Sequence, residues 1–210
     1  MIALTNNVIK YAFRLVHIDN IPHVHSYGFV HKDSPNADPN YIPIGDPSVI
    51  TVRETKSIHG GDVIGSYIPF YFGPRSPMLY VVQHGYNGVE QYAPQDLVYC
   101  VVLLSEIISN QVDCVFTDGH ALNYLTHTYS KDDLSKINDI IKYADVYTRY
   151  WNPEEDRDLK RRKEAELLVK EELAPTYIRG YIVYNEESKN KLINWKINPD
   201  IIIVKKDYYF

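Results

Sequence analysis

The chain has 210 residues, of which 45% are hydrophobic and 23% are charged, the proportions of an ordinary globular protein. This length predicts one domain over residues 1–210 with a substantial core. The formal net charge of −5 argues against long, sequence-independent wrapping of duplex DNA, because that mode requires many cations to neutralise phosphates. It does not exclude a short single strand held by local cations and stacking aromatic side chains, and the chain has 19 tyrosines.

The sequence favours a cytoplasmic protein that does not enter a membrane. No apolar run approaches the ~20 residues that a membrane span requires. The N-terminal segment, residues 1–16, lacks the charged start, apolar stretch and cleavage site of a signal peptide. Cys100 and Cys114 lie in apolar runs, so they are interpreted as small core residues and not as a disulfide.

Short runs of β-branched and aromatic residues, separated by turn residues, predict the strands. In chain order these runs are 11–18, 48–55, 67–72, 97–104, 114–117, 165–170, 180–185 and 200–206. Helix signals are fewer and lie between the strands. Because strands dominate and helices are scattered among them, the predicted fold class is α+β.

Capping residues predict where the helices begin and end. In chain order the starts are Asp19-Asn20, with an end near Gly28; Ser76-Pro77, with an end at Gly85; Asp132-Asp133; Asn152-Pro153; and Glu186-Glu187. Between the first two lies the loop 32–47, which is rich in Asn, Asp and Pro. Loops of this length in compact domains are often functional.

The stretch 70–80, FYFGPRSPMLY, predicts a strand, a sharp corner and a helix. Glycine and proline end the strand, and a serine followed by proline starts the helix. The corner brings Tyr71, Arg75, Ser76 and Tyr80 near one another, as a ligand wall or as a well-packed bend. The residues alone favour the bend.

Three positions carry side chains that suit either structure or chemistry. His17 ends a strand beside helix N-terminal amides, where it either holds a ribose or phosphate or serves as a core histidine, and the core role is favoured. Arg53 shares a predicted strand face with Val49 and Thr51, which favours a snorkelling edge residue over a functional charge. His120 follows Asp118-Gly119 just past a strand end, a weak signal for a site.

Glu166 differs from these because it begins the apolar run ELLV. A carboxylate at the mouth of a buried strand is unfavourable unless something binds it. Such a group can accept a hydrogen bond from a sugar hydroxyl and stabilise positive charge that develops on that sugar. His23 and His25 lack accompanying cysteine or carboxylate ligands, so no metal site is predicted.

Taken in order, these segments resemble the DarT family of DNA ADP-ribosyltransferase toxins. They are LVHIDNIPHVHSYGF (15–29), IGDPSVITVR (44–53), YIPFYFGPRSPMLY (67–80), VFTDGHA (115–121), KEAELLV (163–169) and the final Tyr-Tyr-Phe. The resemblance implies the fold of poly-ADP-ribose polymerases and diphtheria toxin, a split β-sandwich that grips NAD+. It also implies a toxin that attaches ADP-ribose to thymine N3 in single-stranded DNA and blocks replication, opposed by a macrodomain antitoxin.

The resemblance further implies roles for individual residues. Arg53, Glu166 and His120 match catalytic and base-facing positions. Glu166 would anchor the ribose 2′-hydroxyl, Arg53 would stabilise the thymine anion because a guanidinium stays protonated, and His120 would orient the base or relay its proton. The residues implied for NAD+ are His17, Asp19, Asn20, Arg53, Tyr71, Ser76 and Tyr80. Those implied for DNA are Arg75, Met78, His120, Tyr147 and Tyr150.

The resemblance also assigns the long loops: 32–47 would cover the dinucleotide, and about 124–155 would form the substrate side. The cations of 157–163 are further candidate DNA contacts, and the protein is expected to be a monomer. Two alternatives remain open. One is an ADP-ribosyltransferase that acts on guanine, RNA or protein, and the other is an inactive nucleic-acid-binding module.

Overall fold

The structure is a computed structural model that describes residues 7–58 and 61–210. The prediction that residues 1–16 are not a signal peptide therefore lies partly outside the described residues. In this part of the chain the strands form an eight-stranded sheet and a separate pair, β2 with β8. The strands are β1 (Tyr11–His17), β2 (Phe29–Val30), β3 (Tyr67–Tyr71), β4 (Leu97–Leu103), β5 (Cys114–Thr117), β6 (Thr128–Ser130), β7 (Glu166–Lys170), β8 (Glu172–Leu173), β9 (Ile178–Val183) and β10 (Ile202–Val204).

The large sheet is split between β1 and β3. Its order is β10-β9-β4-β1-β3-β7-β5-β6. Strand β1 pairs with β4 along its whole length, from Tyr11 opposite Leu103 to His17 opposite Leu97. It meets β3 at a single register position, Phe13 opposite Tyr71. The two halves of the sheet therefore diverge, and a gap opens between their strands.

Strand β4 is buried on both faces. Cys100 faces one hydrophobic core and Tyr99 faces a second, which also contains Phe13 and Tyr209. A strand covered on both sides is continuously apolar instead of alternating, which is why the run 97–104 predicts a strand so clearly. Both cysteines are buried and free, as predicted.

The helices are short and surround the sheet. They are α1 (Ile21–Tyr27), α2 (Pro47–Arg53), α3 (Pro77–His84), α4 (Leu104–Ser109), α5 (Ile137–Ile140), α6 (Tyr143–Tyr147), α7 (Leu159–Lys163) and α8 (Glu186–Asn194). No helix within residues 7–58 and 61–210 is long and apolar enough to cross a membrane. The described part of the chain is thus a mixed structure around one large sheet, and the α+β prediction is confirmed.

The prediction that residues 48–55 form a strand is wrong, because Pro47–Arg53 is helix α2. The Asp46 carboxylate accepts a hydrogen bond from the Ser48 N–H at 2.8 Å, and Pro47 occupies the first turn. This start signal outweighs the β-branched composition of the run. Arg53 therefore lies at the C-terminal end of a helix and does not share a strand face with Val49 and Thr51.

Two other helix predictions need correction. Residues 151–158 form irregular backbone and turns, and the helix predicted from Asn152-Pro153 begins only at Leu159. The cause is that the acidic residues there bind arginine side chains instead of capping a helix: Asp156 accepts from Arg162 at 2.6 Å. Asp132 and Asp133 lie in the first turn of a 3-10 helix, Lys131–Lys136, and only Ile137–Ile140 beyond it is α-helical.

The corner at 70–80 folds as predicted. Strand β3 ends at Tyr71, the Ser76 hydroxyl accepts a hydrogen bond from the Leu79 N–H at 3.2 Å, and helix α3 closes at a left-handed Gly85. Gly73 lies so close to α6 that a β-carbon would stand 2.0 Å from the Val146 carbonyl oxygen. The corner is therefore clamped directly against the backbone of α6.

We expect Gly73→Ala to lower the free energy of unfolding by about 3 kcal/mol, because an overpacked methyl must push backbone aside. Gly88→Ala is the matched control: its β-carbon meets nothing within 4 Å, although φ is +73°. Its expected cost is about 1 kcal/mol, the penalty for a left-handed alanine. Urea unfolding measures both, and equal losses would contradict the clamp.

Candidate active site

A cavity of about 690 Å³ opens at the split in the sheet. Arg14 of β1 and Pro69 and Tyr71 of β3 line it. A second cavity of about 410 Å³ adjoins it, because Arg14, Tyr41, Arg53 and Pro69 line both. The gap between β1 and β3 thus creates a continuous two-lobed cleft.

Arg53 and Glu166 form an ion pair at the wall of this cleft. Arg53 Nη2 donates to Glu166 Oε2 at 2.9 Å, and Nη1 donates to Oε1 at 3.3 Å. The backbone N–H of Ala121 donates to Oε1 at 2.9 Å. The Glu166 side chain is fully buried and that of Arg53 is 12% exposed. Arg53 faces the cavity and Glu166 lies behind it.

The pair holds both groups in their charged forms. Burial would raise the pKa of Glu166, but the charge of Arg53 and the hydrogen bonds from Arg53 and Ala121 bring it below its ordinary value. Burial opposes the charge of Arg53, yet the neighbouring Glu166 carboxylate raises the arginine pKa. At neutral pH the site therefore contains a buried carboxylate anion that can accept hydrogen bonds.

Strand β5 positions the loop that carries His120. The Glu166 N–H donates to Thr117 Oγ1 at 3.2 Å, and this hydroxyl donates to the Gly119 carbonyl at 2.7 Å. The His120 N–H donates to the Arg161 carbonyl at 3.0 Å. His120 lines the cavity, and its burial lowers its pKa, so the imidazole is neutral at pH 7. The structure thus brings Arg53, Glu166 and His120 together.

Only part of the predicted 70–80 wall faces the cavity. Tyr71 and Met78 line it. Ser76 is 2% exposed, and its hydroxyl caps α3. Tyr80 packs edge-on against Phe210, with ring centroids 5.0 Å apart.

Arg75 anchors the C-terminal residues. Its guanidinium lies 4.1 Å from the centre of the Phe210 ring and donates a hydrogen bond to the Tyr209 carbonyl. Its backbone N–H donates to the Tyr99 hydroxyl at 3.0 Å. Arg75, proposed from the sequence as a DNA contact, therefore has structural partners.

His17, Asp19 and Asn20 organise the end of β1. His17 Nδ1 accepts from the Asp19 N–H at 3.2 Å, and Asp19 pairs with Lys191 at 2.7 Å. Asn20 makes two hydrogen bonds to the backbone of Ile42, at 2.8 and 2.9 Å. These bonds hold the end of the loop 32–47, from which Tyr41 and Pro43 reach the cavity. The predicted NAD+ role of these three side chains stays a prediction.

Some of the predicted DNA contacts line the cavity and others do not. Met78 and His120 line the cavity. Tyr147 stacks on Tyr143 with ring centroids 4.1 Å apart and packs against the core. Tyr150 is 65% exposed, outside the residues that line the cavity.

Sequence analysis missed several residues that line the cavity. Arg14 donates to the Pro69 carbonyl at 2.9 Å across the split, while its buried Nε has no partner among the described residues. Tyr124, 88% exposed, stands at the cavity rim. Glu164 lies two residues before Glu166 and lines the same cavity. Glu164 lies in the segment KEAELLV and Tyr124 in the predicted substrate-side loop, but nothing in the sequence singles out these side chains, because the split sheet brings them together.

The basic run 157–163 contributes fewer free cations than its composition suggests. Arg161 is bound to Asp118 and Asp158, and Arg162 to Asp145, Asp156 and Asp158. Lys163 is 1% exposed and donates to backbone carbonyls. Arg157 and Lys160 are exposed and line the cavity, so they are the cations of this run available to a ligand there.

Among residues 7–58 and 61–210, no group of three or more histidine, cysteine or acidic side chains is arranged to hold a metal ion. His23 and His25 have protein partners instead: His23 Nε2 lies 2.8 Å from the Asn36 carbonyl, and His25 Nδ1 lies 3.0 Å from the Tyr181 hydroxyl.

Comparison with solved structures identifies the fold. The chain superimposes on Thermus sp. 2.9 DarT in complex with ADP-ribosylated ssDNA with a TM-score of 0.81 at 24% identity, covering 96% of this chain and 97% of that one. For the same protein in complex with NAD+ the TM-score is 0.78, with 98% and 100% covered. The split sheet is thus an ADP-ribosyltransferase fold, as expected.

Sequence comparison identifies the family. The model for "ssDNA thymidine ADP-ribosyltransferase, DarT" matches residues 13–210. A DNA ADP-ribosyl transferase of Escherichia coli O127:H6 is 30% identical, with 94% of this chain and 92% of that protein covered. A transferase–glycohydrolase fusion protein of Thermosipho africanus is 28% identical, and this chain spans 48% of its length. The chain belongs to the DarT family, and it is therefore an NAD-dependent DNA ADP-ribosyltransferase.

We expect Arg53→Met to lower the free energy of unfolding at pH 7 by about 3 kcal/mol, because it leaves a buried carboxylate without its counter-charge. The loss should shrink toward pH 5. In the wild type the lowered pKa of Glu166 stabilises the folded state at pH values above the pKa that Glu166 has in the unfolded chain, and this stabilisation is lost as the pH falls. In the variant burial raises that pKa, so protonation at lower pH restores stability.

The double variant Arg53→Met/Glu166→Gln is the control. It should be more stable than Arg53→Met at pH 7, with no recovery at acidic pH, in urea unfolding at both pH values. Additive losses from the two substitutions would show that the pair is not energetically coupled.

Proposed function

We propose that this enzyme transfers ADP-ribose from NAD+ to N3 of a thymine in single-stranded DNA and releases nicotinamide. The observation that carries the proposal is the buried Glu166 carboxylate, held ionised by Arg53 at the wall of the split-sheet cavity. Family membership supports the reaction class. The Thermus relative bound to NAD+ and to ADP-ribosylated ssDNA supports both substrates.

NAD+ fits the two-lobed cleft by its chemistry. The nicotinamide riboside would occupy the larger lobe beside Tyr71 and Met78. The adenosine would occupy the smaller lobe, where Phe29 and Tyr67 supply aromatic surface. Arg14 and Arg53 line both lobes, at the position that the pyrophosphate would span. In this proposal Asn20 acts indirectly, by fixing the loop 32–47 that covers the cleft.

The chemistry follows from the charge at the site. As the bond between ribose C1′ and nicotinamide breaks, positive charge develops on the sugar, as in glycoside cleavage. Glu166 accepts a hydrogen bond from the 2′-hydroxyl and stabilises that charge. Its Oε2 has one protein partner and retains acceptor capacity. Because the carboxylate is fully buried, Arg53 must shift for the ribose to reach it.

The target base enters the larger lobe. Arg53 stabilises the charge that thymine develops when N3 loses its proton, and His120 orients the base. Tyr124 at the rim offers a face for stacking a neighbouring base, and Arg157 and Lys160 attract the phosphates. These groups explain how a chain with a net charge of −5 binds DNA at one place.

We further propose that the protein is the toxin of a toxin–antitoxin system, acting in the cytoplasm as a single-domain monomer. An unreversed bulky adduct on template thymines would block replication. The Thermosipho africanus relative joins its transferase to a DNA ADP-ribosyl glycohydrolase. This fusion supports a partner that removes the modification, of the macrodomain antitoxin class expected from the sequence resemblance.

The decisive experiment incubates the protein with NAD+ and short single-stranded oligonucleotides that contain one thymine, N3-methylthymine or guanine. Mass spectrometry should find one added ADP-ribose on the thymine oligonucleotide alone. Glu166→Gln should reduce the rate at least ~100-fold, because it removes the charge that stabilises the transition state.

The control is Glu187→Gln, which removes an exposed carboxylate from α8 and should leave the rate unchanged. If guanine, RNA or an added protein is modified instead, the target of the enzyme is that acceptor and not thymine. An unchanged NAD+ pool with every acceptor would favour the inactive binding module.

Arg14 gives a second prediction. Arg14→Gln should weaken ADP-ribose binding by about 10- to 100-fold, the value of a hydrogen bond to a charged group, because it loses a pyrophosphate contact. Binding of adenosine, which lacks phosphate, should change little in calorimetry. Arg179→Gln, which removes an exposed arginine paired with Glu106, is the matched control. Equal losses for both ligands would point to local misfolding instead.

A further inference from the structure

Glu164 is a carboxylate in the reaction cavity with no protein partner assigned to it. It follows α7, where its backbone N–H donates to the Arg161 carbonyl at 3.1 Å. Its side chain lines the cavity together with Arg53, Tyr71 and His120. Within the described part of the chain, neither an ion pair nor a hydrogen bond engages this carboxylate. An acidic side chain at this position is free to bind a proton-bearing ligand.

The surroundings of Glu164 set its affinity for a proton. Burial raises its pKa most, and the neighbouring Glu166 charge raises it further. The charges of Lys160 and Lys163 lower it, and the resulting pKa is about 7. The other charged or titratable groups that line the cavity are Arg14, Asp46, Arg53, His120, Asp158 and the cations of 157–161. At neutral pH a large fraction of Glu164 is therefore ionised, and it binds a proton more readily than an ordinary carboxylate does.

The proposed reaction needs such a group, and the inference rests on that proposed function. Thymine N3 carries a proton that must leave before or while the nitrogen attacks. Arg53 is permanently protonated, and Glu166 is held ionised with a lowered pKa by Arg53. The pKa of His120 is lowered by burial, which makes it a weaker base. General base catalysis is most effective when the pKa lies near the working pH.

We propose that Glu164 is the general base that removes the N3 proton of the target thymine. Its carboxylate oxygen binds this proton while the N3 electron pair forms the bond to ribose C1′. The bond from C1′ to nicotinamide breaks, and its electron pair neutralises the pyridinium nitrogen. Glu164 then releases the proton to solvent, so the products are the modified base, nicotinamide and one proton.

The test compares Glu164→Gln with the wild type on the single-thymine oligonucleotide between pH 6 and 9. We expect the transfer rate at pH 7 to fall by about 100-fold, within the usual range for losing a general base. The wild-type rate should rise through about pH 7 and then level off. The variant should lack this step and approach the wild type at high pH, where thymine N3 ionises without help.

Two further variants separate chemistry from structure. Glu164→Asp keeps a carboxylate at shorter reach, so it should retain the step near pH 7 at a reduced rate, which a purely structural role would not produce. Glu187→Gln, far along the chain on α8, should match the wild type. Binding of ADP-ribose by the Glu164 variants should stay within about threefold, which confirms a folded site.

The outcomes distinguish this inference from the proposed function. If the wild type modifies thymine and Glu164→Gln is equally active at pH 7, or has the same pH profile, the role of Glu164 is overturned and the proposed function stands. A wild type that transfers nothing to thymine overturns both. A step near pH 7 that persists in Glu164→Gln assigns the base to another group, such as His120 or the buried Lys163.

Discussion

The ion pair between Arg53 and Glu166 joins three separate segments of the chain. Helix α2 has no buried residue, yet its last side chain passes into the wall of the cleft to meet the first residue of β7. The same carboxylate receives the Ala121 N–H from the loop after β5. A buried pair of this kind adds little net stability, so its presence at a cavity is better explained by function. It keeps an anion ready where a cation develops.

Charge in this protein is distributed unevenly. The chain is acidic overall, but Arg14, Arg53, Arg157 and Lys160 converge on one cleft. Other cations are neutralised by neighbouring carboxylates, as Arg162 is by three aspartates. A local cluster of cations suits a dinucleotide and a few nucleotides of a single strand, whereas a uniformly basic surface suits a long duplex. The local charge of the cleft, and not the net charge of the chain, therefore indicates which ligands bind.

The sequence predicted those features that depend on local pattern. Apolar runs such as 97–104 predicted strands, and Ser76-Pro77 predicted α3. Composition misleads where it competes with a local signal, as in the β-branched helix Pro47–Arg53, which starts at the Asp46-Pro47 cap. The resemblance brought Arg53, His120 and Glu166 together from distant parts of the chain. The sequence did not single out Arg14, or Glu164 within KEAELLV, because their shared position depends on how far β1 and β3 diverge.

Glu164 and Glu166 show how two identical side chains acquire different chemistry two residues apart. Glu166 is buried with a guanidinium and a backbone N–H, so its pKa falls and it remains an anion. Glu164 lies half-buried in the cavity wall without a bound partner, so its pKa rises to about 7 and it can exchange a proton. Enzymes commonly separate the roles of two carboxylates in this way. Here the transfer reaction makes two distinct demands, charge stabilisation at the sugar and proton removal at the base, and the two environments match them.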